Sequence, residues 1–227
     1  MAIALIIAVA AGYLIGSIPV GLIVGRVTRG IDVRDYGSGV TGATNVIRTS
    51  GWKAGAVVII GDIAKGLAPV YLGLAIARAF DVDAGDDRAW VAASAAFAAV
   101  CGHIWPVFAG FRGGRAVATG FGAALAMNPA VSALMVPVAA LVVASTRIMS
   151  LMSITMAPLL AIVFTVLAIT EPGGVFDVPP AHAAYAIGAA ALIVWKHRPN
   201  IERLLAGTEP KIGRGGSKRA EAAPDAA

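Results

Sequence analysis

The stretch that decides the fold is Ala2–Gly25, "AIALIIAVAAGYLIGSIPVGLIVG", which contains no charged residue. A helix of this length covers roughly 30 Å of hydrocarbon, the thickness of a bilayer core. No Lys or Arg precedes the apolar run, and it is long for the apolar region of a signal peptide. We therefore predict a retained membrane span with its N-terminus outside.

The composition of the whole chain indicates the same class of protein. Of its residues 58% are hydrophobic and only 14% are charged, with a mean hydropathy of +0.81. Soluble domains usually carry about a quarter of charged residues. We predict an all-α integral membrane protein: a single domain over 1–213, followed by a polar, disordered tail over 214–227. The pairs Gly12/Gly16 and Gly21/Gly25 have the spacing of close helix packing in lipid.

Five further apolar stretches follow the first one. They are Ala54–Ala77, Ala89–Phe108, Ala116–Thr146, Ile148–Thr170 and Val178–Trp195. The stretch Ala116–Thr146 is long for one span and short for two, and Asn128-Pro129 near its middle favours a turn. We predict two short helices there, which either cross the bilayer twice or form a re-entrant hairpin. The polytopic bundle thus has five full spans plus two short helices, or seven transmembrane helices if both cross.

The distribution of cations gives the orientation. With the N-terminus outside, the inner segments are 26–53, 109–115, 147–150 and 196–227, and they hold every Lys and Arg except Lys65, Arg78 and Arg88. The outer loops around 78–88 and 171–177 are mainly acidic. This asymmetry satisfies the positive-inside rule and places the C-terminus in the cytoplasm.

Polar residues concentrate in three segments on the predicted inner side, at 31–55, 101–120 and 195–213. In the second, Arg112 and Arg115 flank Gly113 and Gly114 just before an apolar helical run. Glycine lets backbone N–H groups approach a ligand, a helix N-terminus favours an anion, and guanidinium groups match phosphate. Contact with lipid headgroups explains two arginines equally well. Because the first segment supplies a second basic, hydroxyl-rich turn, we favour two anion sites for two phosphorylated substrates.

Several single residues allow two interpretations. Asp62 and Lys65 are spaced i, i+3 within a predicted span; they form either a functional intramembrane pair or a buried pair that positions the helix. Cys101 is the only cysteine, so no intramolecular disulfide forms, and a structural role is the usual one for a buried cysteine. His103 ends a span, and His197 shares a helical face with Asn200; interfacial histidines are often only hydrogen-bonded anchors.

At these segments the chain resembles the bacterial acyl-phosphate:glycerol-3-phosphate acyltransferases, the PlsY family. The matching motifs are Gly16-Ser-Ile-Pro-Val-Gly21, "GSGVTGATN" (37–45), "GHIWPVFAGFRGGRAVAT" (102–119) and "HRPNIERLLAGTE" (197–209), in that order along nearly the whole chain. The resemblance implies transfer of a fatty acyl group from membrane-embedded acyl phosphate to the 1-hydroxyl of sn-glycerol 3-phosphate. The products are 1-acyl-sn-glycerol 3-phosphate (lysophosphatidic acid) and phosphate, in the first acylation of phospholipid synthesis.

The resemblance also implies roles for individual residues. Ser38 and Arg48 would bind the acyl-phosphate head and the developing oxyanion, and Arg112, Gly113, Gly114 and Arg115 would hold glycerol 3-phosphate. His197 and Asn200 would orient substrate, while Glu209 would anchor its loop. Either His103 or the departing phosphate would take the proton. Second candidates for substrate contact are Thr44, Asn45, Lys65 and Ser150.

The chain departs from the family pattern at four positions. Val40 replaces Asn, Arg112 and Arg115 replace Lys, and Ala116 replaces Gly. The arginines keep the charge, and we expect Ala116 to be tolerated with a negative φ. The Val40 side chain neither donates nor accepts a hydrogen bond, so another group must supply what the Asn supports.

The remaining expectations concern partners and location. We expect no cofactor, metal or nucleic-acid partner, because positioning and charge stabilisation suffice for an anhydride with a good leaving group. The expected location is a bacterial inner membrane, multi-pass, with the site on the cytoplasmic face. The alternative is a small secondary transporter of a phosphorylated solute; transporters tend to show internal repeats with a midplane site, and neither is evident here.

Overall fold

The chain forms a bundle of α-helices. The computed structural model describes residues 1–212 and Lys218, so the predicted tail at 214–227 lies outside the described residues except for Lys218. The helices are α1 (Ala2–Gly16), α2 (Val20–Arg29), α3 (Ala43–Ser50), α4 (Trp52–Ala79), α5 (Asp86–Ile104), α6 (Val117–Met127), α7 (Pro129–Thr146), α8 (Met149–Thr170), α9 (Pro180–Lys196) and α10 (Arg198–Leu205). Short 3-10 turns occupy Val33–Asp35 and Val107–Ala109, and Tyr36 forms an isolated antiparallel bridge with Lys218.

Five segments are long and apolar enough to cross a bilayer, which confirms the predicted helical membrane class. They are Ala2–Arg29, Trp52–Ala79, Asp86–Ala109, Pro129–Thr146 and Met149–Thr170. Helix α9 is apolar too but has 17 residues. The first span differs from the prediction, which placed one uninterrupted helix over 2–25. Pro19 lacks a backbone N–H and clashes with a preceding turn, so the chain breaks after Gly16 and restarts as α2 at Val20.

The turn predicted at Asn128-Pro129 is present and joins α6 to α7. Asn128 Oδ1 accepts a hydrogen bond from the backbone N–H of Val131 at 3.0 Å and so caps α7, while Pro129 occupies the first helical position. The Asn128 side-chain amide donates to the carbonyl of Phe176, in the segment between α8 and α9. Since α8 begins beside the polar segments and rises about 33 Å over its length, the turn lies at the opposite end of the bundle. Helix α7, with 18 residues, is long enough to cross a bilayer, whereas α6, with 11, rises only about 17 Å. Only one of the two predicted short helices is therefore short.

Small residues hold the helices close together. Helix α5 packs against α1, α4, α6 and α9. Gly12 and Gly16 bring the α1 backbone against the backbone of Ala95 and Ala99 in α5, as their spacing predicts. Contact between backbones replaces the hydrophobic drive that is missing in lipid. The polar segments therefore project from a tightly packed frame at one end of the bundle.

Candidate active site

A cavity of about 340 Å³ opens between the polar segments and reaches down among the helices. Its polar end is formed by the loop before α3, the loop between α5 and α6, and the region around α10. Most of the predicted site residues line it: Ser38, Thr44, Asn45, Arg48, His103, Arg115, Ser150, His197, Asn200 and Glu209. Four predicted residues do not line it, namely Arg112, Gly113, Gly114 and Lys65.

The first loop is organised by the side chain of Asn45, which is buried. Its amide nitrogen donates to the carbonyls of Val33 (2.7 Å), Tyr36 (3.1 Å) and Val40 (2.9 Å), and its Oδ1 accepts from the N–H of Ser38 at 3.0 Å. Asn45 is thus fully used in shaping the loop, which differs from the predicted phosphate contact. The bond to Val40 reaches the main chain, so it forms whatever side chain occupies that position.

Arg48 lies in the last turn of α3 and is half-buried at the cavity wall. Its terminal nitrogen donates to the carbonyl of Pro210 at 3.2 Å, which ties α3 to the C-terminal segment. Its Nε is buried and has no hydrogen-bond partner among the described residues. Burial lowers the pKa of Arg48; the charge of Arg203 adds to this effect, and that of Glu209 opposes it.

The glycine loop is packed more tightly than a backbone cradle for phosphate. The N–H of Gly113 donates to the carbonyl of Ile104 at 3.3 Å, and the N–H of Gly114 donates to the carbonyl of His103 at 3.1 Å. A Cβ on Gly114 would overlap the His103 ring. In the structure these N–H groups fold the loop back onto α5 and lie away from the cavity, whereas the prediction places them against phosphate. Glycine is needed for the close approach.

The two arginines of this loop have different surroundings. Arg115 lines the cavity, whereas Arg112 is exposed and lies away from it. Burial first, and then the positive charges of Arg203 and Arg48, lower the pKa of Arg115 to about 10, against the opposing effect of Glu209. The structure thus brings one of the two predicted arginines into the site.

Ala116, directly after Arg115, has φ +60° and ψ +16°. This is the left-handed region, which side chains other than glycine adopt at a cost. Our expectation of a negative φ at this position is wrong. The conformation explains why the family pattern has glycine there.

A buried polar cluster lies behind the glycine loop. Lys65 Nζ is 3.0 Å from Asp62 Oδ1 and donates to the carbonyl of Ile18 at 2.8 Å. The pairing of Asp62 with Lys65 is as the spacing predicts, but the ammonium does not line the cavity, where the prediction places it in contact with phosphate. His103 Nδ1 shares a hydrogen bond with the Thr119 hydroxyl at 3.1 Å, and the other side of its ring packs on Gly114.

The third polar region is held by Glu209, whose side chain is 4% exposed. Its Oε1 accepts from the Ser150 hydroxyl (2.7 Å) and the Asn200 amide (2.6 Å), and its Oε2 accepts from Arg203 Nε (2.7 Å). Burial raises the pKa of Glu209, but these three donors outweigh it and hold the pKa below its ordinary value. Glu209 therefore has the geometry of a loop anchor, and Ser150 supports it.

His197 and Asn200 lie side by side with this anchor. The carbonyl of Ile193 is 2.7 Å from His197 Nδ1 and can only accept, so Nδ1 carries the proton and Nε2 is left as an acceptor. Burial is the main cause that lowers the pKa of His197 to about 4. Glu209 fixes the Asn200 amide with its nitrogen toward the carboxylate, and the buried Oδ1 has no partner among the described residues.

The charges at the polar end leave an excess of positive charge. The carboxylate of Asp62 is paired with Lys65, and that of Glu209 is paired with Arg203. Among the described residues, the guanidinium groups of Arg48 and Arg115 form no ion pair. Buried polar groups are nearly always hydrogen-bonded, so this end of the cavity suits a ligand that is anionic and also carries a hydroxyl donor.

The rest of the cavity is apolar and is walled by α6, α7, α8 and α9. Four of the six methionines of the chain line it: Met135, Met149, Met152 and Met156. Flexible, polarisable methionine side chains adapt to irregular apolar shapes. A site with two basic groups at its mouth and such a wall below suits an amphiphile with an anionic head.

Sequence reasoning gave no role to three residues that shape the site. Arg203 balances Glu209, Thr119 contacts His103, and Arg34 donates to the carbonyl of Ala109 at 2.8 Å and so ties the first loop to the second. Arg203 lies within the third motif, which is a usable signal. The partners of Thr119 and Arg34 are distant in sequence, and no local pattern reveals them.

Fold and site together define a membrane-embedded protein whose basic cavity, at the end of a helical bundle, suits an anionic headgroup. Residues 6–207 match the family model described as glycerol-3-phosphate acyltransferase. The chain therefore belongs to the glycerol-3-phosphate acyltransferase family. This assignment favours the acyltransferase interpretation over a transporter.

Similar proteins cover almost the whole chain. A glycerol-3-phosphate acyltransferase from Synechococcus sp. (strain CC9902) is 41% identical over 95% of this chain and 99% of its own length, and one from Gloeobacter violaceus is 42% identical over 90% and 93%. Crystal structures of PlsY (YgiH), an integral membrane glycerol 3-phosphate acyltransferase, match with TM-scores of 0.77 for the glycerol 3-phosphate form and 0.75 for the lysophosphatidic acid form. They are 36% and 35% identical to this chain, covering 92% and 91% of it and 96% and 94% of their own lengths.

Proposed function

We propose that the protein transfers a fatty acyl group from acyl phosphate to the 1-hydroxyl of sn-glycerol 3-phosphate, releasing phosphate and lysophosphatidic acid. The observation that carries the proposal is the pair Arg48 and Arg115, two guanidinium groups without a carboxylate partner among the described residues, at the mouth of an apolar cavity. Both substrates have anionic phosphate heads, and one has an apolar tail. The related crystal structures are of a glycerol 3-phosphate form and a lysophosphatidic acid form, which supports the proposed acceptor and the proposed product.

In this mechanism each basic group serves one phosphate. Arg48 and the Ser38 hydroxyl receive the acyl-phosphate head, with the tail against the methionine wall of α7 and α8. Arg115 receives the phosphate of glycerol 3-phosphate. The arrangement holds the two reactants side by side, which supplies catalysis by proximity and by stabilising the developing oxyanion.

The chemical step needs one nucleophile and one proton acceptor. The 1-hydroxyl oxygen attacks the acyl carbonyl carbon, the bond from that carbon to the phosphate oxygen breaks, and phosphate departs. We assign the hydroxyl proton to the departing phosphate, because His103 Nδ1 is hydrogen-bonded to the Thr119 hydroxyl and its Nε2 edge packs against Gly114. With a pKa of about 4, His197 is neutral at physiological pH and weakly basic, so it accepts a hydrogen bond from the acceptor's hydroxyl without removing the proton.

Asn200 complements His197 in orienting the acceptor. Its Oδ1 is a buried hydrogen-bond acceptor in a region otherwise rich in donors. A glycerol hydroxyl is the donor that fits it. Glu209 and Ser150 act one step away by fixing the Asn200 amide.

We also propose a bacterial inner-membrane location with the site facing the cytoplasm. The acceptor is a soluble metabolite, and the basic segments gather at the site end of the bundle, as the positive-inside rule requires. Single cysteines at positions 38, 112 and 197 should react with an impermeant thiol reagent from one and the same side of the bilayer. Reaction from opposite sides would refute this orientation.

The function is tested with purified protein in detergent, supplied with acyl phosphate and glycerol 3-phosphate. Lysolipid should form in step with inorganic phosphate. Ser38→Ala and Arg48→Ala should each reduce this rate by about tenfold or more, since a hydrogen bond to a charged group is worth about 1.5–3 kcal/mol. Lys53→Ala is the control, because Lys53 is exposed and lies away from the cavity.

Two results would contradict the proposal. One is full activity in both site variants. The other is uptake of glycerol 3-phosphate into proteoliposomes with no lysolipid formed, which is the behaviour of a transporter.

A further inference from the structure

The buried pair Asp62 and Lys65 is not explained by the reaction. Both residues are nearly inaccessible, at 2% and 6% exposure, and they lie in the middle of α4 within a membrane span. Burying two charges is costly even when they are paired, and replacement by apolar residues is often tolerated. Intramembrane ion pairs are therefore retained where they have a task. In one direction, Asp62 contacts a residue that packs against the glycine loop of Arg115. In the other, Lys65 contacts the segment before α2, and α2 packs against the loop of Ser38.

The first direction runs through Asp62 to the glycine loop. His103 Nδ1 is 3.7 Å from Asp62 Oδ1 and 3.1 Å from the Thr119 hydroxyl, so the ring is held between α4 and α6. The ring then packs directly on the backbone of Gly114, whose N–H binds the His103 carbonyl. Any shift of the ring moves Gly114 and with it Arg115.

The second direction runs through Lys65 to the first loop. Its ammonium binds the carbonyl of Ile18 at 2.8 Å, at the break between α1 and α2. This contact fixes where α2 begins. Two residues into α2, Gly21 packs on the backbone of Thr41 so closely that a Cβ would overlap its carbonyl. Thr41 belongs to the loop that carries Ser38 and leads into α3, where Asn45 lies.

We propose that Asp62 and Lys65 are positioning residues that fix the distance and orientation of the two anion-binding loops relative to each other. One ion pair on α4 holds His103 behind the loop of Arg115 and holds the start of α2 behind the loop of Ser38. Two substrates must meet within hydrogen-bond reach, so the spacing between the loops matters as much as either loop alone. The inference rests on the proposed function, because it assigns one substrate to each loop.

The test separates the two directions by measuring apparent KM for both substrates in the phosphate-release assay. Thr119→Val removes the hydroxyl beside His103 and leaves Lys65 and Ile18 in place. It should raise the KM for glycerol 3-phosphate about tenfold and leave the KM for acyl phosphate unchanged. Thr119→Ser keeps the hydroxyl and should behave as wild type. Thr155→Val is the matched control, because Thr155 is exposed on α8 and bonds only within its own helix.

Changes to the pair itself should affect both substrates. Asp62→Asn and Lys65→Met should each raise both KM values about tenfold or more. Either single change leaves one charge buried without a partner and threatens folding, so the double variant Asp62→Asn/Lys65→Met is measured with them. It removes both charges, and it should fold, as judged by its elution as a single species, yet still show both raised KM values.

The outcomes distinguish positioning from a merely structural role. A structural role lowers the fraction of active protein and therefore kcat, but it leaves KM for both substrates at the wild-type values in the molecules that fold. That result in the double variant, or an unchanged KM for glycerol 3-phosphate in Thr119→Val, would overturn the inference. If wild-type protein forms no lysolipid, the proposed function fails first, and this failure is visible before any variant is compared.

Discussion

The two arginines of the glycine loop provide the sharpest test of the site, because sequence and structure disagree about them. The sequence assigns phosphate binding to both Arg112 and Arg115, whereas the structure places only Arg115 at the cavity. Arg115→Ala removes a charged donor worth about 1.5–3 kcal/mol, and that range corresponds to about a 10- to 150-fold loss in kcat/KM for glycerol 3-phosphate. Arg112→Ala, three residues earlier on the same loop, should stay within about twofold of wild type.

Stability provides an independent readout for the same variant. Burial first, and repulsion from Arg203 and Arg48 next, lower the pKa of Arg115 from its ordinary value to about 10. A cation whose pKa is lower in the folded protein destabilises the fold while it stays charged, here by about 3 kcal/mol. Arg115→Ala should therefore keep or raise the melting temperature while activity falls, and Arg115→Lys, the residue of the family pattern, should recover most of the activity.

Phosphate release is followed continuously at a saturating concentration of acyl phosphate while glycerol 3-phosphate is varied. Thermal unfolding is recorded on the same preparations with and without glycerol 3-phosphate. The ligand should stabilise wild type and Arg112→Ala but not Arg115→Ala, because a ligand stabilises only a protein that binds it. Equal losses of kcat/KM in the two alanine variants would refute the placement of the phosphate at Arg115.

Three further changes test the loops. Gly114→Ala places a methyl group against the His103 ring, and overpacking of about 1–3 kcal/mol should appear chiefly as a raised KM for glycerol 3-phosphate; a raised KM for the donor alone would reverse our assignment of the two anion sites. Ala116→Gly relieves the strain of the left-handed backbone, about 1–2 kcal/mol. It also removes a buried methyl group and gives the unfolded chain more freedom, so the melting temperature should change little and activity should be kept. A large loss of melting temperature or of activity would contradict the strained conformation. Glu209→Gln should lower stability by about 1–2 kcal/mol at neutral pH. Because the folded pKa of Glu209 is lowered, its contribution is present above the ordinary value of 4.5 and is lost as pH falls through the folded value, so the difference in melting temperature from wild type should disappear in acid.

The parts of the fold that the sequence predicts are those set by local chemistry. Span ends follow from apolar length and from proline: α5 ends at Ile104, just before Trp105-Pro106, and α7 begins at Pro129 after its Asn128 cap. Pro19 gives the same signal within 2–25, a stretch that its lack of charge predicts to be one helix. Most of the site residues were predicted because they lie in three motif-bearing segments at one end of the bundle.

Where prediction and structure differ, the residues lie in the predicted segments, but their side chains or backbone groups face a different part of the protein. Arg112 and Arg115 have the same chemistry and neighbouring positions, and only the fold of the loop shows which one faces the cavity. The spacing predicts the pairing of Lys65 with Asp62, but the carbonyl of Ile18, which also accepts a hydrogen bond from Lys65, lies 47 residues away in sequence. Ala116 shows a further limit, since alanine normally indicates a negative φ and only the glycine of the family pattern suggests otherwise.

The three loops of the site are each held in place by hydrogen bonds within the protein. Backbone groups away from water need partners within the protein, and each loop obtains them from one side chain or one turn of helix. Asn45 binds three carbonyls and one N–H of the first loop, the carbonyls of His103 and Ile104 bind the glycine loop, and Glu209 gathers Ser150, Asn200 and Arg203 around the third. Because these residues satisfy the loops internally, Arg115 keeps its donors for ligands, and Arg48 keeps those that do not bond the Pro210 carbonyl, its buried Nε among them. A substitution at Asn45 should therefore impair the site as severely as one at Arg48, although the Asn45 amide has no bond left to give to a substrate.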